Sequence, residues 1–345
     1  VPLIPNGTGQ PLTLLNEHGA TDWPTDSWPE APENGVAAQA MIDEVMATQP
    51  ELHGESLATL VVQGGQIVAE GYGGDATVDT TLISWSMGKS MVQALIGFMV
   101  LDGRLAIGDR VGAPEWSSDG DPRTDITIDQ MLRMASGLEF TEDYVDAATS
   151  HCIEMLFGEG HTNTAAYAAS LPRLAKADVL FNYSSGTTNV LSRMLGAMVG
   201  GETAMRSWMQ SRLFDALGMQ SATATFDPAG TFVGSSFVYA TARDFARFGL
   251  LYGRDGMWGN DRLLPEGWVD YARTPDGVDE EGHLYGAHWW VRPDGRGSFQ
   301  CQGYETQRIR VVPASDLVVV RLGKTVAPNG VLVDEWLDKL VATFD

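Results

Sequence analysis

Apolar positions change their period several times along the chain. From Val36 to Thr48, Ala, Met, Ile and Val recur at helical spacing, which predicts an amphipathic helix. Leu57 to Val62 and Gln66 to Gly71 are short apolar runs joined at Gly64-Gly65, the pattern of a β-hairpin. Ser90 to Asp102 is apolar on nearly every side and stops at Gly103, which predicts a buried central helix. Ile126 to Met134 reads as an amphipathic helix. Gly186 to Val199 reads as another, with Leu191, Met194, Leu195 and Met198 at helical spacing. Strand patterns then return at Tyr285 to Val291, Ser298 to Gly303, Arg308 to Val312 and Leu317 to Leu322, and Val331 to Phe344 closes as a helix.

Strands at both chain ends with helices between them predict an α/β protein of the α+β kind: an antiparallel sheet flanked by helices, plus a mostly helical insertion. The division expected is 1–85 with 231–345 for the sheet domain and 86–230 for the helical one, with a site in the cleft between them. Residues 1–35 are rich in Pro, Gly, Asn and Asp and read as an irregular arm.

Composition narrows the partners. The chain has 345 residues and is 44% hydrophobic, enough for one large core or two moderate ones. Its net charge of −23 disfavours nucleic acid and anionic membrane surfaces. No apolar run approaches the ~18 residues of a membrane span. The start, Val-Pro-Leu-Ile-Pro-Asn-Gly, has no secretory pattern but no Met either, which leaves cytoplasmic and periplasmic locations open. Two cysteines, Cys152 and Cys301, make no disulfide framework, and the six histidines have no metal-type spacing, so neither metal nor cofactor is expected.

Candidate chemistry begins at Ser86-Met87-Gly88-Lys89, at the mouth of the buried helix. Residues three apart share a helix face, so Ser86 lies beside the Lys89 amine. A serine hydroxyl is a poor nucleophile until a base takes its proton, and S-x-x-K supplies one. An N-capping serine with a lysine reaching to solvent has the same spacing. Only Lys89 among four lysines has a serine three residues before it. A second segment, Phe181-Asn-Tyr-Ser-Ser-Gly186, places Tyr183 just before a helix. A phenol beside an ammonium ionises more easily, so Tyr183 is a second candidate base. A third, Cys301-Gln302-Gly303-Tyr304, is a strand running into a glycine. Such a strand can give a backbone N–H to an oxyanion hole, with Gly303 letting substrate approach the backbone. No G-x-S-x-G elbow exists; Ser84-Trp-Ser-Met-Gly88 lacks the first glycine.

In this order the three segments resemble the serine β-lactamase/penicillin-binding-protein superfamily, in its class C-like branch, which includes family VIII carboxylesterases and 6-aminohexanoate-dimer hydrolases. Ile126 to Leu138, Tyr239 to Gly249, Trp258 to Trp268, Tyr285 to Trp290 and Val312 to Arg321 fit as well, so the resemblance spans roughly 36–343. It implies a β-lactamase/transpeptidase-like fold. It implies Ser86 as acylated nucleophile, Lys89 and Tyr183 as the proton-handling pair, and the backbone N–H groups of Ser86 and Tyr304 as oxyanion hole. Tyr144, in a loop resembling the dimer-hydrolase branch, would line the cleft, and Ser185, Gln302, Gly303 and Trp289 are further expected substrate contacts. Trp85, Trp289 and Trp290 are candidate apolar walls, with core packing the readier explanation for each. The third motif departs from Lys-Thr-Gly or His-x-Gly: Cys301-Gln302-Gly303 has no cation to grip a carboxylate. The reading is therefore an enzyme cleaving a small-molecule ester or linear amide, with a class C-like β-lactamase, a slow penicillin-binding or DD-peptidase-like protein, or an inactive scaffold as alternatives. A homodimer is compatible with it. In the dimer-hydrolase pattern Gly-x-x-Gly-Gln, Thr306 replaces the second Gly.

Overall fold

The computed structural model of the chain describes residues 23–345; the first part of the expected irregular arm, 1–22, lies outside the described residues. The hairpin forms as its sequence dictates. β1 (Glu55–Gln63) and β2 (Gln66–Tyr72) pair Gln63 with Gln66. Gly64 and Gly65 between them sit at φ 58° and 81°, the positive values a two-residue turn needs.

Six later strands complete an eight-stranded sheet: β3 (Gly277–Val278), β4 (Leu284–Tyr285), β5 (Trp290–Val291), β6 (Phe299–Gly303), β7 (Gln307–Val312) and β8 (Leu317–Lys324). Their spatial order is β2-β1-β8-β7-β6-β5-β4-β3, and every pairing is antiparallel. Joining β1 to β8, with Thr59 opposite Arg321, stitches the early and late parts of the chain together.

Alternation along β8 divides the core. Val318, Val320 and Leu322 face the larger cluster, which contains Met91, Leu95 and Phe98 of α2 (Gly88–Leu101) and Phe245 and Phe248 of a later helix, Ala242–Gly253. Val319 faces the smaller cluster, with Ile42 of α1 (Val36–Thr48) and Leu337 of the closing helix Gly330–Val341. Every residue of α2 from Gly88 to Met99 is buried, as its all-round apolar pattern predicts. Three further helices matter for the site: α3 (His151–Phe157), α4 (Thr164–Ser170) and α5 (Ser185–Val199). The hydroxyl of Ser184 caps α5 by accepting from the Thr187 N–H at 3.0 Å.

Two predicted elements are corrected. Tyr285 to Val291 is not one strand: the Gly286 N–H donates to the Trp289 carbonyl at 2.8 Å and His288 turns at φ 57°, so the chain reverses and Tyr285 pairs with Trp290. The helix expected over Ile126 to Met134 is held to Ile128–Leu132, because Met134 takes φ 58°. A small sheet of Leu82–Ile83, Val238–Ala240 and Thr223–Ala224 had no legible signal; its strands are two or three residues long. Among the described residues, no helix is long and apolar enough to cross a membrane.

Candidate active site

Ser86 occupies a single 3-10 turn, Trp85–Met87, that leads into α2. It is partly exposed, whereas Lys89, one turn further in, is 1% exposed. The Lys89 Nζ donates to Ser86 Oγ at 2.9 Å, to Ser185 Oγ at 2.8 Å and to the Ser235 carbonyl at 3.2 Å. Three acceptors match the three donors of an ammonium group. This excludes the plain helix-cap geometry, in which the lysine runs out to solvent.

Tyr183 reaches the same group from the segment before α5, its ring centroid 4.8 Å from Lys89 Nζ. Burial pushes its hydroxyl above the usual phenol range. The charge of Lys89 opposes that push, Glu142 adds to it, and hydrogen bonding with Ser86 and Lys89 pulls it down. Tyr285 and Trp290 hold the ring, with centroids at 5.8 and 5.4 Å.

Glu142 is the residue that sequence reading passed over. Its carboxylate accepts from the Ser185 N–H at 2.7 Å, the Ser185 hydroxyl at 2.5 Å and the Tyr144 hydroxyl at 2.8 Å. It lies 4.0 Å from Lys89 Nζ, with side-chain exposures of 8% and 2%. An ionised carboxylate only accepts, so the single Ser185 hydrogen points to Glu142 and its oxygen receives Lys89. The signal was Phe140-Thr-Glu-Asp-Tyr144 itself: a carboxylate two residues before a tyrosine expected at the cleft, without a spacing rule to single it out.

A cavity of about 70 Å³ opens beside Ser86, lined by Trp85, Tyr144, Cys152, Ile153, Leu156, Phe157, Ser185, Ser236 and Tyr304. Tyr144 and Ser185 both line it, and both hydroxyls are engaged by Glu142. Gln302, on β6 opposite Arg308, and Gly303 are partly exposed. What comes close to Gly303 is protein rather than open space: a Cβ there would overlap the Ser84 carbonyl oxygen. Trp289 is corrected: it is fully buried, stacked on Phe248 at 6.1 Å and edge-on to Phe299 at 5.0 Å, so it packs core and meets no substrate. Cys301 is buried too, and Cys152 donates to Glu142 at 3.6 Å; both are free thiols pushed up by burial.

A larger groove of about 440 Å³, lined by Leu52, His53, Trp336 and Lys339 among others, contains none of these groups. Among the described residues, Asp279, Glu281 and His283 are close enough to share a cation, but they lie on an exposed turn and already pair with one another at 2.8 and 3.6 Å.

With this geometry in place, similarity to known proteins is informative. The chain is 25% identical over 384 residues to the 6-aminohexanoate-dimer hydrolase of Paenarthrobacter ureafaciens, covering 93% of each. A putative 6-aminohexanoate-dimer hydrolase from Bacillus anthracis superposes with TM-score 0.74 at 18% identity, over 97% of this chain and 90% of that one. The octameric penicillin-binding protein homologue from Pyrococcus abyssi gives 0.71 at 17%, over 90% and 78%. These last two likenesses establish the β-lactamase/transpeptidase-like fold. The Beta-lactamase family model matches residues 38–343, nearly the whole described chain, and the protein belongs to that family of hydrolases.

Proposed function

We propose that the chain is a serine hydrolase that cleaves an ester or small linear amide through an acyl-Ser86 intermediate. The observation that carries this reading is Lys89 Nζ at 2.9 Å from Ser86 Oγ, with the Tyr183 ring against the same nitrogen. Ser86 Oγ attacks the carbonyl carbon while its proton passes to the Lys89–Tyr183 pair in the form that has first given up one proton to solvent, a neutral amine beside a phenol or an ammonium beside a phenolate. The developing oxyanion is received by the N–H groups of Ser86 and Tyr304. Both lie in the opening turn of a short 3-10 helix, where N–H groups lack an intrahelical acceptor. The proton then goes to the departing alcohol or amine as its bond to the carbonyl carbon breaks. Water attacks the acyl-serine next, giving its proton to the same pair, and the acid leaves with Ser86 restored.

The division into a sheet part (1–85 and 231–345) and a helical part (86–230), with the site between them, belongs to the same proposal. The cavity beside Ser86 is consistent with it, since Tyr304 and Ser236 contribute from one part and Tyr144 and α3 from the other. An ester or simple amide fits better than a carboxylate-bearing β-lactam, because among the described residues no Lys, Arg or His lines that cavity. Its about 70 Å³ is roughly half the volume of an apolar cavity that takes benzene, which suits a short acyl group. The test is labelling by a fluorophosphonate together with turnover of a p-nitrophenyl ester panel. Both are expected from the wild type and lost in Ser86→Ala; label retained by Ser86→Ala refutes the assignment.

A further inference from the structure

We propose that Trp85 and Glu305 form a clamp that fixes the separation of the two turns carrying the Ser86 and Tyr304 N–H groups, with Glu305 a positioning residue. The inference rests on the oxyanion reading above and goes beyond it, because neither side chain has a role in that chemistry.

Three residues without glycine's freedom take left-handed backbone here: Trp85 at φ 44°, Glu305 at φ 58° and Thr306 at φ 65°. Each adjoins Ser86 or follows Tyr304 within two positions. Such conformations persist only where the surroundings over-determine them, and they concentrate at functional sites. The surroundings here are specific. Glu305 and Thr306 are pinned from β8: the Arg321 Nη1 donates to both their carbonyls, at 3.0 and 3.1 Å, and the Thr325 N–H donates to that of Glu305 at 3.2 Å. Arg321 is itself 1% exposed, so the anchor is rigid.

From that anchored turn the Glu305 side chain crosses to the nucleophile turn, where the Trp85 indole Nε1 donates to its Oε2 at 3.3 Å. The same indole meets the Tyr304 ring edge-on at 5.6 Å and leans on Phe237 at 6.0 Å. One side chain therefore holds its own strained backbone and grips both the residue that bears the second N–H and the residue after it. An indole suits this role because it offers a broad apolar face and a donor on one rigid frame.

The test uses the full chain and reads Ser86 phosphonylation by a fluorophosphonate, with the maximal rate and the apparent affinity separated, beside the thermal midpoint. Glu305→Ala and Trp85→Phe are expected to lower the maximal rate by about tenfold, the scale of one hydrogen bond to a charged group. In Glu305→Ala the affinity should stay within about twofold, since only an interaction that positions the transition state is removed; Trp85 also lines the cavity, so Trp85→Phe is read on the maximal rate alone. Glu305→Gln keeps an oxygen that accepts from the indole and should recover most of what Glu305→Ala loses. The double variant Trp85→Phe/Glu305→Ala should be no slower than the worse single variant, because the two act as one unit. Unchanged rates in Glu305→Ala overturn the clamp. So do equal losses in the Ala and Gln variants that track a fall in thermal midpoint. If the wild type labels elsewhere than Ser86, or not at all, the underlying serine assignment has failed and the clamp falls with it; that outcome is told apart by Ser86→Ala.

Discussion

Gly303→Ala perturbs the spacing between the nucleophile turn and the end of β6 with a single methyl group. Gly303 has ordinary extended backbone, φ −128° and ψ 159°, which alanine adopts freely, so the substitution brings no conformational penalty of its own. Space is the constraint. The new Cβ would overlap the Ser84 carbonyl oxygen and stand 3.0 Å from Gln307 Cβ. Ser84 is fully buried, and its hydroxyl is tied to the Ser236 carbonyl at 3.1 Å, so it yields little. Relief requires the two turns to part by about 1 Å, a displacement on the scale that costs about 10²-fold in rate when a catalytic group is misplaced. That corresponds to about 2.7 kcal/mol of transition-state stabilisation. Overpacking itself costs the fold about 1–3 kcal/mol. Steady-state hydrolysis of a p-nitrophenyl ester, with kcat and KM resolved, should show the loss in kcat, and thermal unfolding should show a folded protein of lower midpoint. A kcat within about threefold of wild type in a folded variant would refute the claim that this contact places the Tyr304 N–H.

The remaining predictions concern charge and strain. Glu142→Gln removes a negative charge that raises the Tyr183 hydroxyl pKa, so that pKa falls. If Tyr183 must surrender its proton to act as base, the acid limb of kcat/KM moves to lower pH; an unmoved limb would show that Glu142 only shapes the loop. His288 is buried, its Nδ1 on the Leu132 carbonyl and its Nε2 on the Thr188 hydroxyl, and burial pushes its pKa down to about 3 from 6.5. The unfolded chain then binds the extra proton between those values. Stability present above pH 6.5 is therefore lost as pH falls toward 3, with a slope of up to about 1.4 kcal/mol per pH unit. Urea midpoints between pH 7 and 5 should fall less steeply in His288→Gln, and identical slopes would count against it. Thr306→Gly relieves a β-branched residue at φ 65°, a strain of about 1–3 kcal/mol offset by about 0.5–1 kcal/mol of glycine entropy. A raised urea midpoint is expected; a lowered one would mean that its side-chain packing outweighs the strain.

How much of this was legible in the sequence depends on the range over which each feature is decided. The hairpin, α1, α2 and the strands β6 to β8 are set by short-range period and glycine turns, and the apolar pattern finds them. Ser86 and Lys89 are legible for the same reason, being one helical turn apart in a segment whose apolar surround leaves a lysine in need of partners. Trp289 misled because an aromatic beside a strand end looks alike whether it faces a cleft or a core; the reversal at Gly286 to Trp289 decides it, and that reversal is held by the distant Ala272 and Leu132 carbonyls. Glu142 was hidden because its meaning lies wholly in contacts 43 and 53 residues away in the chain, to Ser185 and Lys89. Thr306 is the instructive intermediate. The resemblance marked it as a place where relatives carry glycine, and its left-handed backbone gives that glycine a physical reason. With a threonine there the turn is held from β8, where Arg321 donates to the Glu305 and Thr306 carbonyls. The buried arginine thus holds the end of β6 against Ser86 with a threonine in the left-handed turn.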